Sequence, residues 1–433
     1  MAVDTTITLR NDIVYSIFVR NHTPEGTIKA AMADLPRIRA LGTTIVWLMP
    51  IQPTGTVQRK GTLGSPYAIQ DYRQIDPAQG TFGDLEAFVA QSHELGMRVI
   101  LDVVYNHTAP DSVLAKTHPE WFYKNEQGQM GNRTADWSDV VDLDYSQPAL
   151  WDYQIETLQL WAGYVDGFRC DVAPMVPLAF WLKARADVAT VDPDKHYIWL
   201  AETNHPEFIK IVRDMGYEES SDAEIYQAFD MTYEYDVIEA FKATLKGELT
   251  LAEYARLLNR MDVTYPKNYV KMRFLENHDN ERAASYMQDI DTRRNALAFK
   301  YFEKGSMLLY AGEEFEATHL PSLFDRDIIA LQPDQAKTDL SDFIQRFSAL
   351  KQDPIMAEGK YQVTDLNGSV LQVTYETASQ QRVGLFALQP FKGDLIVAID
   401  SGEYTELITD RVANVVDGII AFTGEPLILE RQL

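Results

Sequence analysis

The sequence has a single cysteine, Cys170, so no disulfide can form within the chain. That fits a reducing compartment, and a cytoplasmic location is the expectation. No apolar run approaches the roughly 18 residues a membrane helix needs. The opening MAVDTTITLRND carries acids and no apolar core, unlike a secretory leader. Cations are scarce: 39 Lys and Arg stand against 64 Asp and Glu, a formal charge of −25. Such a surface repels nucleic acid and anionic membranes and suits a neutral or cationic ligand. Several chemical signatures are also missing. No G-x-G-x-x-G follows an apolar run, no H-E-x-x-H or H-x-H occurs, and no G-x-S-x-G frames a serine. Dinucleotide binding, a zinc-protease site and an esterase nucleophile elbow are therefore without support.

What is present is a rhythm. Eight short apolar runs rich in β-branched and aromatic residues recur along the chain: 14–20, 43–51, 98–107, 165–172, 197–203, 225–233, 270–279 and 306–314. Between most of them lie segments of helical period, such as 82–96 and 150–163. Eight such units predict the α/β class and a closed (β/α)8 barrel rather than an open doubly wound sheet. Two regions break the rhythm. Residues 108–141 read as a long loop after the third strand, and connections of that length are usually functional. From about residue 350 the pattern alternates, as in VLQVTY, VGLFAL and LILE, which predicts a small antiparallel β-domain. The expected division is a barrel of 1–107 and 142–349, an insert of 108–141 and a β-domain of 350–433.

The stretch YVDGFRCDVA (164–173) places Arg169 and Asp171 on one side of a strand, because side chains alternate. Burying both charges costs several kcal/mol, roughly, unless they pair. Barrel enzymes hold their chemistry at strand C-termini. Here those ends carry Asp102, Asn106 and His107, then Arg169 and Asp171, then Glu202, then Glu276, Asn277, His278, Asp279 and Arg282. Three acids, Asp171, Glu202 and Asp279, are expected to converge. Two carboxylates facing one site suit glycoside hydrolysis, one as nucleophile or base and the other as proton donor. Arg169 would keep Asp171 ionised. Glu202 follows the apolar WLA and has no basic sequence neighbour, so a raised pKa suits a general acid. Asp279 would bind sugar hydroxyls or the developing positive charge. Trp121, Phe122, Tyr123 and Trp137 in the insert suit either sugar stacking or a local mini-core, and Phe324–Asp327 either the cleft or a solvated loop.

The set DVVYNH, GFRCDVA, AET and ENHD resembles the four signature regions of the alpha-amylase family of glycoside hydrolases. GTTIVWLMPI, GSPYAIQDY, VVDLDY and GEEF resemble flanking motifs of that family, so the likeness runs from about Val14 into the β-domain. It implies a short domain B at 108–141 and a domain C at 350–433. It implies Asp171 as nucleophile, Glu202 as acid/base and Asp279 as transition-state stabiliser. His107 and His278 would bind hydroxyls, Tyr67 would stack on the sugar, Arg169 would orient Asp171, and Asp71 and Asp102 would support the substrate site. A retaining mechanism is implied, with carboxyls about 5–5.5 Å apart.

Departures qualify the likeness. After Asp171-Val172 the chain continues Ala173-Pro174-Met175 in place of the Lys-His common in secreted members. The DVA ending and HDNER look more like the neopullulanase, cyclomaltodextrinase and maltogenic amylase branch. With the first strand near residue 14, that branch's N-terminal domain is expected to be absent, leaving monomer or homodimer open. Asn106 and Asp142 match calcium-binding positions of the family, but two candidates fall short of the six to eight oxygens Ca²⁺ takes. The expectation is no required cofactor, with calcium as the alternative. The expected substrate is an α-1,4-linked glucan oligosaccharide, a maltodextrin or starch fragment. The alternatives are a transglycosylase or isomerase, an α-1,6-glucosidase, or a non-catalytic carbohydrate-binding relative.

Overall fold

The computed structural model describes the chain apart from residues 1, 3, 135–136, 330, 332–337 and 409–410. Eight parallel strands close into a barrel. They are Ile13–Ile17 (β1), Ile45–Leu48 (β2), Arg98–Val103 (β3), Gly167–Cys170 (β4), Ile198–Ala201 (β5), Met231–Tyr233 (β6), Val270–Phe274 (β7) and Ser306–Tyr310 (β8). All are buried at nearly every position, which is why they read as continuous apolar runs rather than alternating ones. In β4 the residue type answers to its neighbour: a Cβ on Gly167 would stand 2.2 Å from the Ile198 carbonyl oxygen, so only glycine lets β4 and β5 close.

Helices cover the barrel. Phe82–Glu94 begins at a capping box between Thr81 and Asp84, and Pro148–Ala162 has proline in its first turn. The sixth run differs from the expectation. Only its last residues form β6, while its start closes the helix Asp222–Ile225, which a Ser221–Glu224 capping box opens. That box satisfies backbone donors locally, and this outweighs the β-propensity of the following aromatics.

The insert returns to where it leaves. His107–Thr108 pairs antiparallel with Val141–Asp142, His107 opposite Asp142, so a two-rung ladder ties its ends at the top of β3. The expected break at 349/350 falls inside the helix Ser341–Lys351, whose Ile344 and Phe347 are buried. The β-domain starts only after Glu358. It holds Lys360–Asp365 (β9), Val370–Glu376 (β10), Gln380–Ala387 (β11), Gly393–Ile396 (β12), Gly402–Glu406 (β13), Arg411–Val415 (β14), Ile419–Phe422 (β15) and Leu427–Gln432 (β16). Six make one sheet in the order β9-β10-β11-β16-β13-β14, and β12 pairs with β15. Tyr361, Val373, Tyr375 and Phe386 join the barrel's own core, and the Tyr375 hydroxyl donates to the Phe302 carbonyl at 3.1 Å. No helix among the described residues is long and apolar enough to cross a membrane.

Candidate active site

At the C-terminal end of the barrel, register puts Arg169 beside Asp102 of β3 and Leu200 of β5. The fully buried guanidinium is shared by three carboxylates. Its Nη1 donates to Asp102 Oδ1 and Oδ2 at 3.0 and 3.2 Å and to Asp171 Oδ1 at 2.9 Å. Its Nη2 lies 2.6 Å from Glu202 Oε1, a close charge contact without hydrogen-bond alignment. Nε donates to the Tyr233 hydroxyl at 3.2 Å. The rings of Trp47, Tyr67 and Tyr233 surround it at 5.0, 5.6 and 5.5 Å. Glu202 thus has a basic partner that its own sequence neighbourhood does not show, supplied by the adjacent strand β4.

Backbone strain fixes the next contact. Val172 has φ 36° and ψ 43°, left-handed and rare for a β-branched residue. In that conformation its N–H donates to Glu202 Oε2 at 2.9 Å, and the Ala173 N–H donates to the Glu202 carbonyl at 3.1 Å. The kink after Asp171 therefore holds Glu202 in place. The Ala-Pro-Met that follows makes a 3₁₀ turn, with all three residues buried.

Burial pushes the Glu202 carboxyl well above the usual range; Arg169 opposes this, while Asp171 and Asp279 reinforce it. Asp102 is pushed up to about 7, first by burial, against the pull of Arg169 and with Asp171 adding repulsion. One cation serving three buried acids leaves the cluster short of positive charge, so it retains a proton. Burial, with Arg169 adding, lowers the His278 pKa and favours the neutral ring, although Asp279 pulls the other way.

The other expected residues fall around this cluster. His107 Nε2 lies 3.8 Å from Asp171 Oδ2, and His278 Nε2 lies 3.2 Å from Asp279 Oδ2. The Asp279 side chain is 43% exposed, the most open of the three acids. Tyr67 stacks on His278, rings 5.5 Å apart, and donates from its hydroxyl to Asp102 Oδ2 at 3.2 Å. Asp102 also accepts from Trp47 Nε1 at 3.2 Å. Asp71 is placed differently: its carboxylate accepts the Arg73 N–H at 3.0 Å in a local turn. Its neighbour Tyr72 reaches the wall instead, donating to the His107 carbonyl at 2.7 Å.

In the insert, Trp121 and Phe122 are buried in the main barrel core rather than in a separate mini-core. Trp137 packs 5.2 Å from the His107 ring and so lies beside the site. Asp325 is tied to Thr62, its Oδ1 accepting the backbone N–H at 2.8 Å and the hydroxyl at 2.7 Å. Sequence reasoning missed Trp47, Tyr233 and Tyr235. The Tyr235 hydroxyl accepts from Asn277 at 3.0 Å, and its buried ring sits within the field of Asp279 and Glu202. The available signal was DMTYEYD, where tyrosines alternate at a strand end.

Both calcium candidates, Asn106 and Asp142, have protein groups against them. Asp142 Oδ2 accepts the Arg133 N–H at 2.8 Å and faces the Arg133 guanidinium at 3.6 Å. Asn106 lies against His107, Nδ2 to Nδ1 at 3.2 Å. Among the described residues no group of three His, Cys, Asp or Glu could hold a metal. The cation beside Asp142 is a side chain of the protein.

A closed parallel barrel with three acids gathered on one arginine at its C-terminal mouth defines a class of carbohydrate-active barrel enzymes. The chain belongs to the alpha-amylase family: the family profile "Alpha amylase, catalytic domain" matches residues 11–138 and 111–356. "Bacterial Alpha amylase C-terminal domain" matches residues 362–429. Among solved structures, an alpha-amylase from Lactobacillus plantarum is 47% identical with TM-score 0.94, covering 98% of this chain and 100% of that one. A noncanonic maltogenic alpha-amylase from Thermotoga neapolitana is 34% identical with TM-score 0.86, over the same 98% and 100%. An alpha-1,4-glucan:maltose-1-phosphate maltosyltransferase of Streptomyces coelicolor is 32% identical over 231 residues, 48% of this chain and 34% of that protein. The chain thus spans about a third of the length of the curated relatives it matches.

Proposed function

We propose that this chain is a retaining glycoside hydrolase that cleaves α-1,4-glucosidic bonds in maltodextrins. The observation that carries the reading is the single Arg169 guanidinium bonded to Asp171 and in contact with Glu202, with Asp279 on the open side. In the first step an Asp171 oxygen forms a bond to the anomeric carbon. The glycosidic C–O bond breaks, and Glu202 gives its proton to the departing oxygen. Asp171 Oδ1 is held by Arg169, so Oδ2, facing His107, is the attacking atom. In the second step Glu202 takes a proton from water as that water attacks the same carbon and releases Asp171. Asp279, beside neutral His278, binds sugar hydroxyls and the cationic transition state. In this reading the Arg133 guanidinium is the cation beside Asp142, and calcium is not required.

A second reading is glucan transfer, favoured by the likeness to a maltosyltransferase across 48% of the chain. There a sugar hydroxyl replaces water in the second step. One experiment separates the two: purified protein with maltoheptaose, products resolved by chain length, beside Asp171→Asn. Shorter sugars only, and none from the variant, is the expected result. Products longer than maltoheptaose would assign transfer, and turnover by Asp171→Asn at the normal rate would remove Asp171 from the mechanism.

A further inference from the structure

A cavity of about 650 Å³ has Asp279 in its wall. It runs along the seam between the barrel and the β-domain, from Asn280 and Glu281 past Tyr286 and Gln288 to Pro390. A second cavity of about 370 Å³ shares Asp289, Thr292 and Pro390 with it and carries the path on to Phe391 and Lys392. Sharing that wall, the two cavities form a trough that reaches from Asp279 to the β-domain. Its size falls within the range that holds a small-molecule ligand.

The walls are built rather than incidental. Lys242 Nζ donates to Asn280 Oδ1 and Glu239 Oε1, both at 2.9 Å. Asn280 Nδ2 and the Asp279 N–H converge on Asn277 Oδ1, at 2.8 and 2.9 Å. Gln389 of the β-domain donates to the Thr244 carbonyl at 2.8 Å and fastens the far wall to the barrel. These bonds join the lining to the loop that carries Asp279.

Its chemistry selects a neutral polyhydroxyl chain. Glu239, Asp279, Glu281 and Asp289 outnumber Lys242 and Lys246 in the lining, a balance that disfavours an anionic polymer. Half-buried Tyr286 and Phe391 offer ring surface at two points, and the amide and carboxylate edges between them accept and donate to hydroxyls. A sugar ring needs both: an apolar face for its C–H bonds and polar partners for its rim. We infer that the seam between barrel and β-domain binds the part of an α-glucan chain that extends beyond the reaction centre, past Asp279. The inference rests on the proposed activity and adds to it a dependence on substrate length that the β-domain supplies.

The test compares kcat/KM on maltoheptaose and on maltotriose for the unaltered chain, Tyr286→Ala and Phe391→Ala. Truncating a buried contact residue costs about five- to tenfold in affinity, so the ratio of the two constants is expected to fall by about that factor. A ratio that stays constant, whether both values fall together or neither falls, overturns the inference. Phe391 packs near Phe422, 6.4 Å between rings, so a third variant guards against misfolding. Gln288→Trp lies on the exposed rim, obstructs the trough and is expected to lower the same ratio. Failure of the unaltered chain to turn over either sugar would count against the proposed activity instead. Calorimetry then decides the trough alone: weaker maltoheptaose binding by Gln288→Trp supports it, and equal binding overturns it.

Discussion

At the scale of single residues, the site is a problem of one cation among several acids. Arg169 is fully buried, and its charge is offset by Asp102, Asp171 and Glu202, none of them open to bulk water. Two carboxylates then repel each other without compensation, and the proton that relieves them goes to the deepest, least favourably ionised groups. The raised Glu202 carboxyl is the acid the first step needs. A general acid works only while protonated, so kcat/KM on maltodextrins is expected to hold through the ordinary carboxylate range. It then falls as pH rises through the Glu202 pKa. Glu202→Gln should lose about 10²- to 10⁴-fold on maltodextrins and retain the first step on maltosyl fluoride, whose leaving group needs no proton. A pH–rate profile on both substrates checks this; a variant as fast as the parent on maltodextrins would place the acid elsewhere. The pairing of Arg169 with Asp171 was legible because strand alternation puts both on one face, and Glu202 was marked by its place at a strand end. Val172 was not: its left-handed backbone is imposed by the turn, and no residue type announces it.

At the scale of elements, the insert is the least regular piece and depends on one arginine. Its ends are zipped by the His107–Thr108 and Val141–Asp142 ladder. Arg133 spans it, its backbone and guanidinium on Asp142 and its Nη2 donating to the Leu143 carbonyl at 2.9 Å. The same guanidinium lies over Tyr123 at 5.2 Å and Tyr217 at 5.9 Å, which ties the insert to the segment after β5. Asp142 is fully buried, and burial raises its pKa against the help of Arg133. Arg133→Ala leaves that carboxylate short of a partner and should cost about 1–3 kcal/mol, read as a lower melting temperature. EDTA should leave melting and activity of the unaltered chain unchanged. A large loss on chelation would mean that a metal, not Arg133, secures the insert. Sequence reading located this loop by its length but could not see the clamp, because Arg133 and Asp142 are brought together by a turn rather than by periodicity.

At the scale of the whole molecule, the barrel was the readable part. Its eight strands are buried on both faces and mostly apolar, so each stands out as a run. The start of the sixth run misled because a capping box turns it into helix, and the break at 349/350 misled because Ser341–Lys351 is amphipathic and continues the barrel's packing. The β-domain announced itself by alternation. Its attachment did not, since Tyr361, Tyr375 and Phe386 could face either core from sequence alone. That attachment lets residues of both domains, Asp279 and Gln389 among them, line one cavity.

The central claim is that Asp171 carries the sugar between two chemical steps. Glu202→Gln incubated with maltosyl fluoride should form the glycosyl-enzyme, since fluoride leaves without a proton, and should resolve it slowly for want of a base. Mass spectrometry of a peptic digest is the direct measurement. The account predicts a maltosyl adduct on the peptide that contains Asp171. An adduct on any other residue, or turnover of the fluoride with no adduct and inverted product, would contradict it.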